Sequence, residues 1–269
     1  MPTVQDIRAK AGEEPVTVLT AYDAPTARVV EEAGIDAILV GDTVGQVELG
    51  YDFTIPVTFE AMKHHTAAVV RGTEEAVVVA DMPFLSYGTD LATGVENGGR
   101  LVKEAGADAV KFECGPHTVG LTERLVEVGV PVMAHLGLTP QREKQLGGYK
   151  RQATTRDSAR ELIDLAREHE AAGAFALVLE SVPANVARQA TEALSIPTIG
   201  IGAGPDTDGQ VLVVNDVLGM GEWAPPVAEQ FGDVRSEMER AVTAYREAVE
   251  EGSFPAEEHT YTDDSLDDL

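Results

Sequence analysis

The sequence Glu-Ala-Gly-Ala-Asp-Ala at residues 104–109 has three close counterparts elsewhere in the chain. They are Glu-Ala-Gly-Ile-Asp-Ala at 32–37, Glu-Val-Gly-Val-Pro-Val at 127–132 and Ala-Ala-Gly-Ala-Phe-Ala at 171–176. In each copy a segment of helical period ends near the glycine, which readily terminates a helix, and a short apolar run follows. The chain therefore contains at least four helix-to-strand joints of one type.

Short apolar runs recur on both sides of these joints, each bounded by Gly, Pro or Asp. They occupy residues 16–20, 37–40, 76–80, 109–112, 131–134, 175–179, 197–201 and 211–214. Runs that are apolar on both faces are typical of parallel strands buried on both sides. Segments of helical period lie between them, at residues 24–33, 58–71, 90–104, 118–128, 155–172 and 183–194.

Eight βα units within about 215 residues predict an α/β fold of the (β/α)8 TIM-barrel type. A doubly wound open sheet is the alternative, but the turn Thr-Ala-Tyr-Asp at 20–23 lacks the Gly-rich dinucleotide-binding sequence. A charged amphipathic helix is predicted at 234–251. We therefore predict one domain over residues 1–254, which includes this C-terminal helix, and an acidic, partly disordered tail at 255–269.

The composition is that of a globular protein, with 43% apolar and 25% charged residues. Cys114 is the single cysteine, which excludes a disulfide framework and a Cys-rich zinc site. No apolar run is long enough for a membrane span, and the start of the chain lacks an apolar signal-peptide core. These features predict a cytoplasmic protein.

The chain is strongly acidic, with 46 Asp and Glu residues against 20 Lys and Arg residues and a formal net charge of −26. This charge disfavours binding of nucleic acid or an anionic membrane through a basic patch. A diffuse acidic surface with few lysines indicates adaptation to high salt, where the Debye length falls to about 3 Å at 1 M. An ordinary acidic cytosolic protein is the alternative.

Ionisable residues stand where five consecutive predicted strands end. They are Asp42, Asp81, Lys111, Glu113, His135 and Glu180. The C-terminal ends of the strands of a barrel converge on one mouth, which is where barrel enzymes build their active sites. Any one of these acids alone is better explained as a helix N-cap or a loop charge. Together they predict a shared functional site.

Three carboxylates, on Asp42, Asp81 and Glu113, favour a hard cation such as Mg²⁺. Zinc is disfavoured, because His135 is the one nearby nitrogen donor in the sequence pattern. Three acids in one mouth repel each other unless a cation or Lys111 offsets their charge.

Lys111 lies within an apolar run, and a buried lysine needs a partner. It either pairs with the acids, binds a substrate carboxylate or forms a Schiff base, and a metal beside it favours the first two. Glu180, at the rim of an apolar barrel, is favoured as a general base over a helix-capping role. The glycines at 200–204 fit a tight turn better than a phosphate site.

The chain resembles the ketopantoate hydroxymethyltransferase family over nearly its whole length, from about residue 3 to residue 261. The motifs that carry the resemblance lie at residues 20–23, 40–45, 80–84, 110–113, 135–141, 147–150, 179–183, 199–204 and 257–259. The run from His-Leu-Gly-Leu-Thr-Pro-Gln at 135–141 to Gly-Gly-Tyr-Lys at 147–150 is the most specific of them.

The resemblance implies a barrel of the phosphoenolpyruvate/pyruvate type. It implies transfer of a hydroxymethyl group from a 5,10-methylene reduced pterin, methylenetetrahydrofolate, to 3-methyl-2-oxobutanoate, which gives 2-dehydropantoate in pantothenate and coenzyme A biosynthesis. The partners implied are therefore small-molecule substrates, and the family also forms homo-oligomers, typically decamers. An Mg²⁺-stabilised enolate is the expected intermediate.

The resemblance also implies roles for individual residues. Mg²⁺ is bound by the residues matching Asp42 and Asp81, and the residue matching Glu113 joins it directly or through water. The oxo acid is contacted by Thr43 and Lys111, and Glu180 is the catalytic base. The full substrate-binding set predicted here is Asp42, Thr43, Asp81, Lys111 and His135, with the role of His135 left open.

Two departures from the family pattern bear on function. The family usually has Ser where this chain has Thr43, a change that keeps the hydroxyl. Residues 223–227 read Trp-Ala-Pro-Pro-Val where many members carry a basic stretch. The sequence therefore does not identify the pterin that carries the one-carbon unit. If the source is a halophilic archaeon, as the charge indicates, a methanopterin-like carrier is the alternative to folate.

Two other functions are considered. Another Mg²⁺-dependent oxo-acid lyase or mutase of the same barrel type commonly has a Lys-Lys-Cys-Gly-His loop, which this chain lacks. A catalytically idle barrel that serves in binding or regulation is disfavoured, because every expected ionisable residue is present.

Overall fold

The computed structural model describes residues 2–148, 150–221, 223 and 225–266. Its eight parallel strands close into a barrel in chain order, which confirms the predicted fold class. The strands are β1 (Val16–Thr20), β2 (Ala37–Val40), β3 (Val77–Asp81), β4 (Ala109–Glu113), β5 (Val132–Gly137), β6 (Ala176–Glu180), β7 (Thr198–Ile201) and β8 (Gly209–Leu212). In the register of the sheet, Asp81 pairs with Lys111 and Glu113 pairs with His135.

The helices of the described residues are α1 (Val4–Ala9), α2 (Ala24–Glu32), α3 (Val44–Val47), α4 (Phe59–Gly72), α5 (Leu91–Ala105), α6 (Val119–Glu127), α7 (Glu143–Leu146), α8 (Arg156–Ala171), α9 (Ala184–Ala193), α10 (Val214–Val217) and α11 (Val234–Glu250). Several begin at a side chain that accepts a hydrogen bond from a first-turn backbone N–H, as Asp23, Asp90 and Thr155 do. None of these helices is both long and apolar enough to cross a membrane.

Alternate residues of the strands fill the inside of the barrel. Val77 and Val79, two residues apart on β3, belong to one buried cluster made mainly of strand residues at this spacing. Strand residues that point to the other face of the sheet, such as Val110 of β4, belong to a second cluster, together with helix residues such as Leu101 of α5. Because successive side chains of a strand point to opposite faces, both faces of the sheet are apolar. This explains why the strands read as continuous apolar runs.

One connection differs from the predicted repeat. Residues 202–208, which join β7 to β8, form no helix, so the expectation of eight βα units is wrong for the seventh. Gly202 and Gly204 have φ angles of +60° and +84°, which glycine adopts without strain. The sharp turn that they form returns the chain to the sheet within a short loop. These angles agree with the tight-turn interpretation of the glycines at 200–204.

The N-terminal ends of six strands are tied together in pairs by aspartates. Three aspartates, each directly before a strand, accept a hydrogen bond from a backbone N–H of the preceding strand. The pairs are Asp36 with Thr17 (2.9 Å), Asp108 with Val78 (2.8 Å) and Asp208 with Thr198 (2.8 Å). These contacts lie at the end of the barrel opposite the predicted functional mouth.

The described chain divides into two compact units. The first runs to Val214 and includes Pro226–Ala228, and the second comprises Asn215–Pro225 and the chain from Glu229 onward. The second unit contains α11 and short 3-10 turns at Glu257–His259 and Asp264–Leu266. The predicted division into a domain over 1–254 and a tail over 255–269 stays a prediction. Tyr149, Ala224 and the last three residues of that tail lie outside the described residues.

The surface charge predicts salt-dependent stability. Most described ion pairs lie within one helix, and the exposed ones among them contribute little and lose little on screening. Repulsion among the acidic residues of a chain with a net charge of −26 acts over the whole surface and destabilises the folded state. We therefore expect the Tm to rise between about 0.1 M and about 1 M KCl, as the Debye length shrinks from about 10 Å to about 3 Å.

Circular-dichroism melts measure this effect. Each kcal/mol gained raises the Tm by about 2–4 °C for a chain of this size. Sucrose solutions of equal osmolarity are the control for effects of solute exclusion. A Tm that does not change with KCl would contradict the assignment of the charge to high-salt adaptation.

Candidate active site

The polar side chains at the mouth continue the rows of the barrel interior. On β3, Asp81 follows Val79 at the spacing of two that defines the interior face. The same spacing brings to that face Lys111, Glu113, His135 and Glu180. Asp81, Lys111, Glu113 and His135 are buried, whereas 20% of the Glu180 side chain is exposed. The acid predicted as the base is therefore the one that a small molecule reaches from outside.

Asp81 has a partner on each carboxylate oxygen. Its Oδ2 accepts a hydrogen bond from the backbone N–H of Asp42 (3.0 Å), and its Oδ1 lies 2.8 Å from Nζ of Lys111. Burial alone would lower the pKa of Lys111, but the charges of Asp81 and Asp42 outweigh burial and raise it. Lys111 is therefore a protonated ammonium, which is not a nucleophile. Charge pairing is thus favoured over a Schiff base.

The carboxylates of Asp42 and Glu113 lie in surroundings that oppose their ionisation. Burial, followed by the charge of Asp81, raises the pKa of Asp42 to about 7, although Lys111 acts in the other direction. Burial also raises the pKa of Glu113 to about 8, against the lowering effect of the backbone N–H of Gln141. A divalent cation at the mouth would favour the charged form of both groups.

Glu180 is held in place by the end of β5. Its backbone carbonyl accepts a hydrogen bond from the N–H of Leu138 (2.8 Å). At Gly137, where φ is +103°, a Cβ atom would lie 2.2 Å from that same carbonyl oxygen, so only glycine fits. The side-chain Oε2 of Glu180 lies 3.1 Å from Nε2 of His135, which is 3% exposed. The backbone hydrogen bond from Leu138 and the imidazole of His135 together restrict the position of the Glu180 carboxylate.

The hydroxyl of Thr43 is fixed by a tyrosine. Tyr22, which follows β1, shares a hydrogen bond of 2.7 Å with Oγ1 of Thr43. Burial raises the pKa of the Tyr22 phenol far above its ordinary value, so the phenol keeps its proton. The hydroxyl expected from the family's Ser is therefore present at the mouth and is oriented by a neighbour.

Gln141 had no role in the sequence prediction, although it ends the run at 135–141. It lies in the 3-10 turn Pro140–Arg142 of the loop after β5 and is 5% exposed. Its Nε2 donates to Oδ2 of Asp42 (2.8 Å) and to the carbonyl of Met82 (3.0 Å), and its Oε1 accepts from the hydroxyl of Tyr87 (2.7 Å). Its backbone N–H donates to Oε1 of Glu113 (2.7 Å).

The candidate metal ligands at the mouth are mainly carboxylate oxygens. Among the described residues, no three His, Cys, Asp or Glu side chains form a metal site by themselves. Asp42 and Asp81 are joined by a hydrogen bond, and Oε2 of Glu113 is buried without a hydrogen-bond partner. Mg²⁺ is commonly held by one or two carboxylates and completes its shell with water or substrate oxygens. The residues fit Mg²⁺ held by Asp42 and Asp81, and Glu113 as a third ligand stays a prediction.

Comparison with known proteins identifies relatives of the chain. Residues 2–257 match the family described as Ketopantoate hydroxymethyltransferase. A protein of Natronomonas pharaonis named 3-methyl-2-oxobutanoate hydroxymethyltransferase is 63% identical over 265 residues, which cover 98% of each chain. A protein of the same name from Halobacterium salinarum is 63% identical over 274 residues and covers all of both chains. These sources are halophilic archaea, as the charge of this chain led us to expect for its own source.

Solved structures share the barrel. The phosphoenolpyruvate phosphomutase of Streptomyces platensis subsp. rosaceus has a TM-score of 0.63 at 16% identity, and the alignment covers 97% of this chain and 92% of that one. Phosphonopyruvate hydrolase, solved in complex with oxalate and Mg²⁺, has a TM-score of 0.62 at 13% identity and coverages of 97% and 92%. These likenesses show the barrel fold alone.

The family match and the high identities extend over nearly the whole chain. The residues that carry the resemblance at the strand ends, among them Asp42, Asp81, Lys111 and Glu180, lie at one mouth of the barrel. The chain therefore belongs to the ketopantoate hydroxymethyltransferase family.

Proposed function

We propose that this chain transfers a hydroxymethyl group from a 5,10-methylene reduced pterin to 3-methyl-2-oxobutanoate and so forms 2-dehydropantoate, for pantothenate and coenzyme A biosynthesis. One observation carries the proposal. The partly exposed carboxylate of Glu180 meets His135 at the mouth where Asp42, Asp81 and Lys111 gather. Removal of a proton beside a carbonyl needs a positioned base and groups that stabilise negative charge, and this mouth offers both.

Glu180 is the proposed base. It takes the C3 proton of the oxo acid, and the electron pair left at C3 forms the new bond to the methylene carbon of the pterin. Both bonds between that carbon and the two pterin nitrogens break, and water supplies the hydroxyl oxygen. The proton taken from C3 and one proton of the water end on the two nitrogens. His135, whose Nε2 lies 3.1 Å from Oε2 of Glu180, orients the carboxylate toward the C3 proton.

The other residues bind the oxo acid and its charge. Lys111 is protonated and offsets the charge of the substrate carboxylate, and Thr43 presents its hydroxyl to the substrate. Asp42 and Asp81 would hold Mg²⁺. When bound, Mg²⁺ supplies a Lewis acid that stabilises the negative charge developing on the 2-oxo oxygen.

The proposed carrier is tetrahydrofolate, and a methanopterin-like compound is the alternative. The relatives from halophilic archaea and the altered residues 223–227 are the reasons to test both. We also propose that the protein is cytoplasmic, which suits its buried, unpaired Cys114. Membership of the family supports a homo-oligomer, a decamer by resemblance, and light scattering in molar KCl gives the mass that decides this.

The experiment that tests the proposed function follows the C3 proton of 3-methyl-2-oxobutanoate by NMR in D₂O, at molar KCl, with Mg²⁺ and without a pterin. We expect exchange that requires both the protein and Mg²⁺. Addition of methylenetetrahydrofolate is then expected to give 2-dehydropantoate.

Each outcome has a consequence. Exchange without product on addition of the folate points to the methanopterin-like carrier, which is tested next. If exchange is absent and neither carrier gives product, the substrate assignment is wrong. Exchange that persists after removal of Mg²⁺ by a chelator contradicts the metal assignment.

A further inference from the structure

We infer that Gln141 is a positioning residue for the metal site, because its amide fixes the carboxylate of Asp42. The inference rests on the proposed binding of Mg²⁺ by Asp42 and Asp81. Gln141 acts through Asp42 and is not proposed as a ligand itself. Its side chain is buried and joins groups at the ends of two strands, Asp42 after β2 and Met82 after β3, and its backbone N–H contacts Glu113 at the end of β4.

The neighbours of Gln141 fix the orientation of its amide. The backbone carbonyl of Met82 only accepts hydrogen bonds, so the NH₂ group must face it, at 3.0 Å. The hydroxyl of Tyr87 accepts a hydrogen bond from the backbone N–H of Glu113 (3.1 Å), which leaves its own proton for Oε1 of Gln141. The second N–H of the amide therefore points at Oδ2 of Asp42, at 2.8 Å. A flipped amide would break both side-chain donor contacts.

A neutral donor suits this position. Asp42 is buried beside the negative charge of Asp81, and the ammonium of Lys111 lies against Asp81. An Arg or Lys in the place of Gln141 would neutralise Asp42 and compete with a bound cation. The amide restrains the carboxylate and leaves its charge for the metal. Partners of this kind commonly set the affinity of a metal site.

Gln141 also links the loop after β5 to the carboxylates. Its backbone N–H holds Oε1 of Glu113, while its side chain holds Asp42. The same residue thus contacts acids from the ends of β2 and β4. A change in its side chain therefore releases the carboxylate of Asp42 and keeps the backbone contact with Glu113.

The test is the affinity for Mn²⁺, measured by electron paramagnetic resonance without any substrate, in wild type and in Gln141→Met. Methionine keeps the length of the side chain and removes both donors. We expect the affinity to fall by about 10- to 100-fold. The matched control is Gln152→Met, because Gln152 lies in the same loop and its Nε2 donates only to the local carbonyl of Lys150 (2.9 Å) among the described contacts. The control is expected to bind Mn²⁺ as the wild type does.

A second variant keeps the inference testable if Gln141→Met does not fold. Tyr87→Phe removes the proton that orients the Gln141 amide and also the acceptor of the Glu113 N–H, and it leaves Gln141 itself in place. It is expected to lower the Mn²⁺ affinity in the same direction. Both variants are expected to regain kcat/KM at high Mg²⁺, which a purely structural defect would not allow. Wild-type affinity in a folded Gln141→Met protein, or in Tyr87→Phe if the first variant does not fold, overturns the inference.

The inference and the proposed function fail in different experiments. A wild-type protein that binds Mn²⁺ but neither exchanges the C3 proton nor forms product contradicts the proposed function and leaves the role of Gln141 standing. A wild-type protein that forms product while Gln141→Met binds Mn²⁺ normally contradicts the role of Gln141 alone.

Discussion

Replacement of Glu180 by Gln is expected to slow exchange of the C3 proton of 3-methyl-2-oxobutanoate by about 10²- to 10⁴-fold, which is the usual contribution of a general base. Glutamine keeps the size of the side chain but accepts no proton at neutral pH. The backbone carbonyl of residue 180 keeps its hydrogen bond from Leu138, so the fold is expected to persist. NMR in D₂O with Mg²⁺ measures the rate.

The control for this variant is Glu192→Gln. Glu192 lies on α9, 69% of its side chain is exposed, and its partner Arg188 is on the same helix. This variant is expected to exchange the proton at the wild-type rate. If Glu180→Gln also keeps that rate while remaining folded, another group removes the proton and the assignment of Glu180 is wrong.

Replacement of Asp81 by Asn is expected to lower the free energy of unfolding by about 3 kcal/mol. Removal of one partner of a buried ion pair typically costs about 3–5 kcal/mol, because the remaining charge is left uncompensated. The low end applies because Asp42 also attracts Lys111. The same variant is expected to lose most of its Mg²⁺ affinity. Urea denaturation measures the first effect and calorimetric titration the second.

The double variant Asp81→Asn with Lys111→Met separates the two effects. Removal of both charges takes away the uncompensated ammonium, so stability is expected to return toward the wild-type value. The Mg²⁺ affinity is not expected to return, because the carboxylate is still missing. If Asp81→Asn is as stable as the wild type, the contact between Nζ and Oδ1 does not stabilise the barrel.

The barrel could be predicted from the sequence because its strands are apolar on both faces. The predicted ends of β1 and β2 agree with the structure. β2 lies between Asp36 and Gly41, and β1 begins directly after Pro15. The eighth strand, expected at 211–214, lies at Gly209–Leu212. Its first two residues, Gly209 and Gln210, carry no strand signal, and Val214 already belongs to α10.

The candidate site could be predicted as a set of charges but not as a network. Strand ends meet at one mouth in any parallel barrel, which is enough to bring Asp81 and Lys111 together. The contact of Gln141 with Asp42 depends on the path of the loop after β5, and no local pattern specifies that path. A neutral side chain also gives no charge signal. The pairing of Tyr22 with Thr43 escaped prediction for the same reason.

The aspartates at the opposite end of the barrel set a limit on protein engineering. Asp36, Asp108 and Asp208 contribute to the net charge, yet each accepts a backbone hydrogen bond that joins two strands at any ionic strength. A version of the chain redesigned for dilute buffer can exchange exposed acids of α8 and α11 for lysine. The same exchange at these three positions would remove the hydrogen bonds that join the strand pairs. If the surface charge adapts the chain to high salt, as predicted, the exposed acids of α8 and α11 can vary, whereas Asp36, Asp108 and Asp208 cannot, because they also join strands of the barrel.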